Sequence, residues 1–234
     1  MKSSPRPQAG EGQGEGNAHY KFNEQAIFQQ SSPHLSPLPP AGEGAKNSMK
    51  LVILDRDGVI NQDSSQFIKN PDEWKAISGS LEAIALLNQS GFKVAVATNQ
   101  SGISRGLFDM ATLNAIHDKM HHALASYGGR IDAIFYCPHA ADEHCHCRKP
   151  EAGMIEEIGK RFSVDLTGVP AVGDALRDLQ AFANAGCQPI LVRTGKGETT
   201  LAASLTHADK ALPANTWICA DLAEAVQMIL EMDD

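Results

Sequence analysis

No stretch of this 234-residue chain approaches the roughly 20 consecutive apolar residues that a membrane span needs. The N-terminus also lacks the apolar core of a secretory signal, so a cytoplasmic protein without a membrane partner is expected. Positive charge is in deficit: 20 Lys and Arg stand against 28 Asp and Glu, a formal net charge of -8. That balance argues against a non-specific grip on nucleic acid or anionic membrane, and an anionic small substrate would need a local cation to hold it. Aromatic residues make up only 6% of the chain. No basic, aromatic surface for stacking a nucleic acid strand is evident.

At 42% hydrophobic residues the chain can bury one good core, and its size permits one or two domains. Residues 1–48 stand apart. They are rich in Pro, Gly and Ser, repeat the word AGEG at 9–12 and 41–44, and show no sustained apolar period. A disordered low-complexity tail is expected there, either a true flexible tail or an upstream extension, with the folded domain at 49–234. From Met49 onward apolar runs alternate with helical patterns. Strands are predicted at 51–54, 93–98, 133–137, 170–174, 189–194 and 216–220, and helices at 80–90, 109–126, 151–162, 177–185 and 221–231. Such alternation predicts an α/β fold, a mostly parallel Rossmann-like sheet with helices on both faces. Connections are short, so no cap domain is expected; only 59–78 is long enough for a flap.

The stretch LVILDRDGVIN, 51–61, sets Asp55 and Asp57 just beyond the first strand, where Gly58 lets the backbone turn and where open α/β sheets bind their ligands. TNQSG (98–102), CRKP (147–150) and GDALRD (173–178) also fall at or beyond strand ends. A parallel sheet brings them together, which predicts one pocket holding Asp55, Asp57, Thr98, Lys149 and Asp174. Three carboxylates so placed repel one another and take up protons unless a cation sits among them, and Mg2+ is the usual choice for oxygen ligands. Lys149 and Mg2+ could then neutralise a phosphoryl group.

Three of the five cysteines crowd into CPHAADEHCHC, 137–147. Cys137, His139, Cys145 and Cys147 suit a closed, structural zinc site, with His144 and His146 as alternative ligands in a tighter geometry. This loop runs straight into Arg148 and Lys149 and is expected to fix both at the pocket mouth. Cys187 and Cys219 stand alone and are expected in the core.

The ordered set of a first-strand DxD, Thr98, Lys149 and a final GD with a nearby acid resembles the haloacid dehalogenase (HAD) superfamily of phosphotransferases. The resemblance implies that Asp55 is the nucleophile and Asp57 the acid and base. It also implies Mg2+ on the Asp55 and Asp174 carboxylates and the Asp57 backbone carbonyl, Asp178 in support, and Thr98 and Lys149 on the non-bridging oxygens. LDRDGVIN, TNQSGISRG, the Cys/His loop with CRKPEAGM, VGD and LVRTGKG together are similar to the heptose-bisphosphate phosphatases, a capless, zinc-containing branch. That likeness implies a monomeric hydrolase releasing the 7-phosphate of a small sugar bisphosphate for lipopolysaccharide precursors. Recognition by Arg148 is implied, with further contacts from Arg56, Asp63, Ser64, Ser65, Gln66, Asn99, Gln100 and Ser101. Only five residues separate His139 from Cys145, fewer than in some members, which leaves the preferred anomer open. Histidinol-phosphate phosphatases share the catalytic motifs and the zinc loop, but DGVIN and RTGKG favour the heptose branch. A non-catalytic zinc module binding a phosphorylated partner has no use for a nucleophile at Asp55.

Overall fold

A computed structural model describes residues 49–233. The tail expected over 1–48 lies outside the described residues. Leu51–Leu54 (β1), Lys93–Asn99 (β2), Ala133–Cys137 (β3), Pro170–Gly173 (β4), Gln188–Val192 (β5) and Trp217–Cys219 (β6) form one parallel sheet in the order β3-β2-β1-β4-β5-β6. β1 pairs with β2 from Leu51 opposite Lys93 to Leu54 opposite Val96, and with β4 through Ile53 opposite Ala171 and Leu54 opposite Val172.

Strands covered on both faces must be apolar throughout, which is why these runs were legible without an alternating pattern. All four β1 residues are buried. Val52 and Leu54 join the core with helices α1 (Ser80–Gln89), α2 (Met110–Ala125) and α6 (Leu222–Asp233), whereas Leu51 and Ile53 pack with α3 (Gly153–Phe162) and α4 (Leu176–Asn184). Cys187 joins the second core and Cys219 the first. Each predicted strand and helix is present with ends within two residues of expectation.

One helix was not predicted. α5, Gly197–Thr206, reads GETTLAASLT and buries only Gly197, so no apolar stripe announced it. It is held from its start instead: Gly197 N–H donates to the Thr194 carbonyl at 2.8 Å, and the Thr200 hydroxyl to the Asp174 carbonyl at 2.9 Å.

The 59–78 flap is a clipped loop. Gln62 N–H reaches the Lys75 carbonyl and Ile77 N–H the Ile60 carbonyl, each at 2.9 Å, with Val59, Ile60, Ile68 and Trp74 buried beneath. No inserted domain covers the carboxyl ends of the strands among the described residues. No helix among them is long and apolar enough to cross a membrane. Strand order reverses between β1 and β4, and a ligand crevice is expected outside the carboxyl ends at that switch point.

Candidate active site and metal centres

A cleft of about 300 Å³ opens at the switch point. Asp55 leaves β1 and Asp174 leaves β4, while Asp178 stands in the first turn of α4; one oxygen from each lies within 4.8 Å of the others. All three residues are at most 5% exposed. Between them lies the Lys149 ammonium, 3.0 Å from Asp55 Oδ1, 2.7 Å from Asp178 Oδ1 and 2.7 Å from the Ala97 carbonyl it donates to. One hydrogen bond and two ion pairs thus surround the ammonium, so what Lys149 chiefly offers the cleft is its charge.

Burial pushes the Asp55 carboxyl up to about 6, against the pull of Lys149 and with the help of Asp178 and Asp57. Burial also raises Asp174 to about 8, with Asp178 and Asp55 adding repulsion. For Lys149, desolvation acts to lower the pKa, but the two aspartates outweigh it and the net shift is upward. Two of the three acids share the Lys149 ammonium, and Asp174 Oδ1 is buried with no hydrogen-bond partner. An all-oxygen donor set with an orphaned carboxylate oxygen fits a hard divalent cation such as Mg2+.

Asp57 lies outside that cluster. Arg56 Nε and Nη2 donate to its carboxylate at 2.9 to 3.1 Å, and Asn61 Nδ2 and Gln100 Nε2 each donate at 2.9 Å. Burial alone would raise this carboxyl, but the Arg56 charge and the Asn61 and Gln100 bonds hold it below the usual carboxylate range. Gln100 Nε2 also donates to Thr98 Oγ1 at 2.9 Å, which leaves the buried Thr98 hydroxyl proton available to the cleft.

Two of the expected contacts do not line the cleft. Arg56 is 0% exposed and does not line the cleft, because its guanidinium is committed to Asp57 and to His117. Gln66 faces an adjoining depression beside Lys69 and Asn70, not the catalytic cleft. Asp63, Ser64, Ser65, Ser101 and Arg148 do line the cleft. Asn99 lines it too, though its amide also accepts from Lys149 N–H at 3.2 Å and donates to the Lys149 carbonyl at 3.0 Å.

Three lining cations were missed: Arg105, Arg177 and Lys196. Arg177 Nε is buried without a partner, and Lys196 bridges the cleft mouth to Asp63. RTGKG was the available signal for Lys196: its backbone N–H donates to Asp174 Oδ2 at 2.7 Å. Glycine is required at two contacts with the same carboxylate. A Cβ on Gly58 (φ +87°) would fall 2.0 Å from Asp174 Oδ2, and one on Gly195 (φ +58°) 2.2 Å from it.

At the end of β3 and in the loop after it, Cys137, His139, Cys145 and Cys147 converge with all four ligand atoms within 4.8 Å of one another. The sulfurs of Cys145 and Cys147 are 3.6 Å apart, as are those of Cys137 and Cys145, and His139 Nδ1 lies 3.6 and 3.4 Å from Cys137 and Cys147. A tetrahedron with bonds of about 2.3 Å has edges of about 3.8 Å, close to these spacings. His144 and His146 are exposed and stand outside the group. Hydrogen bonds from Cys137 and His139 draw the Cys147 thiol down to about 5, while Cys137 and Cys145 are pushed up, Cys137 first by its bond to Cys147 and Cys145 first by burial.

Fold and site together define a HAD-like hydrolase, and the HAD-hydrolase-like family model matches residues 146–225. The D-glycero-β-D-manno-heptose-1,7-bisphosphate 7-phosphatase of Bordetella bronchiseptica is 61% identical over 183 residues, covering 78% of this chain and 99% of that protein. The enzyme of the same name from Pseudomonas aeruginosa is 50% identical over 184 residues, with coverage of 79% and 99%. A crystal structure of the D,D-heptose 1,7-bisphosphate phosphatase from B. bronchiseptica, complexed with magnesium and phosphate, aligns with a TM-score of 0.75 at 60% identity, covering 79% of this chain and 99% of that one. The chain belongs to this family of heptose-bisphosphate phosphatases.

Proposed function

We propose that the protein hydrolyses the 7-phosphate of D-glycero-β-D-manno-heptose 1,7-bisphosphate, a step toward the heptose precursors of lipopolysaccharide, and that it acts as a monomer. The observation that carries this reading is the buried Asp55 carboxylate at the switch point, with Asp57 two residues on, in a chain 61% identical to a phosphatase of that name. An Asp55 oxygen attacks phosphorus in line as the bond to the C7 oxygen breaks, and Asp57 gives that oxygen a proton. Asp57 then takes a proton from water. The water oxygen attacks phosphorus, the bond to Asp55 breaks, and orthophosphate departs. The donors around Asp57 favour its carboxylate, and a phosphoryl dianion alongside raises its proton affinity for the first step.

The Asp55 and Asp174 carboxylates and the Asp57 carbonyl, with Asp178 in support, would hold Mg2+, which would supply positive charge against the phosphoryl oxygens. The Thr98 hydroxyl donates to those oxygens, and Lys149 balances the acids around the nucleophile. Zinc on Cys137, His139, Cys145 and Cys147 is structural. Next to it, Arg148 Nη1 donates to the His139 carbonyl at 3.0 Å, so the zinc loop aims the rest of that guanidinium into the cleft, where its fork suits the remote 1-phosphate.

Phosphorus NMR on both heptose anomers, with histidinol phosphate as comparator, tests the assignment. Loss of the 7-phosphate signal with the 1-phosphate intact is expected, with the β anomer turned over fastest. Arg148→Ala should lower kcat/KM for the bisphosphate at least about tenfold more than for a heptose monophosphate. Faster turnover of histidinol phosphate would overturn the substrate.

A further inference from the structure

Arg56 is fully buried, and its guanidinium is engaged on two sides. Nε and Nη2 grip Asp57, and Nη1 lies 3.2 Å from Nε2 of His117, which is 61 residues further along the chain in α2 and also 0% exposed. A guanidinium can only donate, so Nε2 of His117 is the acceptor and the imidazole is neutral with its proton on Nδ1. Burial, then the Arg56 charge and His121, hold His117 well below its ordinary pKa, in keeping with that form.

The arrangement has a mechanical reason. Arg56 and Asp57 are adjacent, so their ion pair folds a long side chain back onto its own neighbour. Such a pair fixes the guanidinium at one edge and leaves its plane able to swing unless the far nitrogen is anchored elsewhere. The anchor comes from α2, a different part of the fold, where packing locks the imidazole. Asn61 and Gln100 hold the Asp57 oxygens individually, but only the Arg56 fork spans both of them.

We propose that His117 is a positioning residue for proton transfer: by accepting from Nη1 it fixes the plane of the Arg56 fork, and through it the direction in which Asp57 presents its proton to the leaving oxygen. The inference rests on the acid and base role given to Asp57 above. It differs from simple core filling in its dependence on the leaving group. kcat/KM reads the reaction only as far as leaving-group departure, and an alkoxide needs the proton there whereas p-nitrophenolate departs without one. A core defect would loosen both reactions alike.

The test uses the full chain with Mg2+, heptose 1,7-bisphosphate and p-nitrophenyl phosphate, and the variants His117→Leu, His117→Gln, His117→Asn and Asp57→Asn. His117→Leu should lose about tenfold in kcat/KM on the heptose substrate and less than about twofold on p-nitrophenyl phosphate, part of the 10²–10⁴ that acid catalysis typically supplies. His117→Gln places an amide oxygen near the Nε2 position and should recover to within about threefold, whereas the shorter His117→Asn should not. If His117→Leu does not fold, the Gln and Asn pair carries the comparison. Equal losses on both substrates, or a Gln variant no better than Asn, would overturn the proposal. Asp57→Asn separates the two levels: equal losses on both substrates there would sink the acid role itself, whereas leaving-group dependence in Asp57→Asn but not in the His117 variants would sink the positioning role alone.

Discussion

Replacing Lys149 with Met keeps the buried stem and deletes its charge. Among the described residues the ammonium is the one ion-pair partner of both Asp55 and Asp178, at 3.0 and 2.7 Å, in a residue 1% exposed. Removing one member of a buried pair leaves desolvated charge behind and costs about 3–5 kcal/mol. At about 2–4 °C per kcal/mol for a domain of this size, the metal-free variant should melt about 6–20 °C below the wild type at pH 8. Acid should relieve it. Asp55 already stands at about 6 and loses its strongest attractive neighbour in the variant, so its folded-state value climbs further above the ordinary 3.8. A carboxyl with a raised folded-state pKa costs nothing below its unfolded value and destabilises increasingly as pH climbs toward the folded one. The deficit should therefore shrink between pH 8 and pH 5, by up to about 1.4 kcal/mol per unit for each proton involved. Thermal melts of both proteins in chelator at the two pH values decide the matter. A deficit that is equal at both, or larger at pH 5, would refute the counter-charge argument.

Elemental analysis should find about one zinc per chain, and stripping it should lower the melting temperature and loosen the 137–147 loop; a protein with no zinc and full stability would contradict that role. Gly195→Ala forces a Cβ to within 2.2 Å of Asp174 Oδ2, so the Mg2+ concentration for half-maximal activity should rise at least about tenfold, and an unchanged requirement would count against Asp174 as a ligand. A chain beginning at Met49 should keep its turnover rate, since 183 residues of this sequence already match 99% of the B. bronchiseptica relative; lost activity would assign the preceding segment a part.

The sheet was legible because burial on both faces makes each strand an unbroken apolar run bounded by turn residues, and Asp55, Thr98 and Asp174 were legible because they sit at or just beyond strand ends. α5 was not, since its start is held by Thr194 and Asp174 rather than by an apolar face. The direction of Arg56 was not legible for a related reason: standing between two site aspartates suggests a place in the cleft, yet its side chain turns toward α2. Its partner His117 carries no local signal at all. Arg177 and Lys196 were overlooked because a cation in the first turn of α4 or in a glycine-rich loop reads as solvated until the fold closes around it.

The strand order divides the site between two half-sheets. Asp55, Thr98 and Lys149 arrive with β1 to β3, whereas Asp174 and Asp178 arrive with β4 and α4. The halves meet along β1 and β4 through just two residue pairs, Ile53 with Ala171 and Leu54 with Val172. A fragment ending before β4 would own a nucleophile with no second carboxylate for the cation, and the complementary fragment would own that carboxylate with nothing to phosphorylate. On the proposed reading, turnover would act as a proofreading signal for assembly: a cation shared by Asp55 and Asp174 would staple the narrowest joint in the sheet, and chains whose halves have not met would be silent.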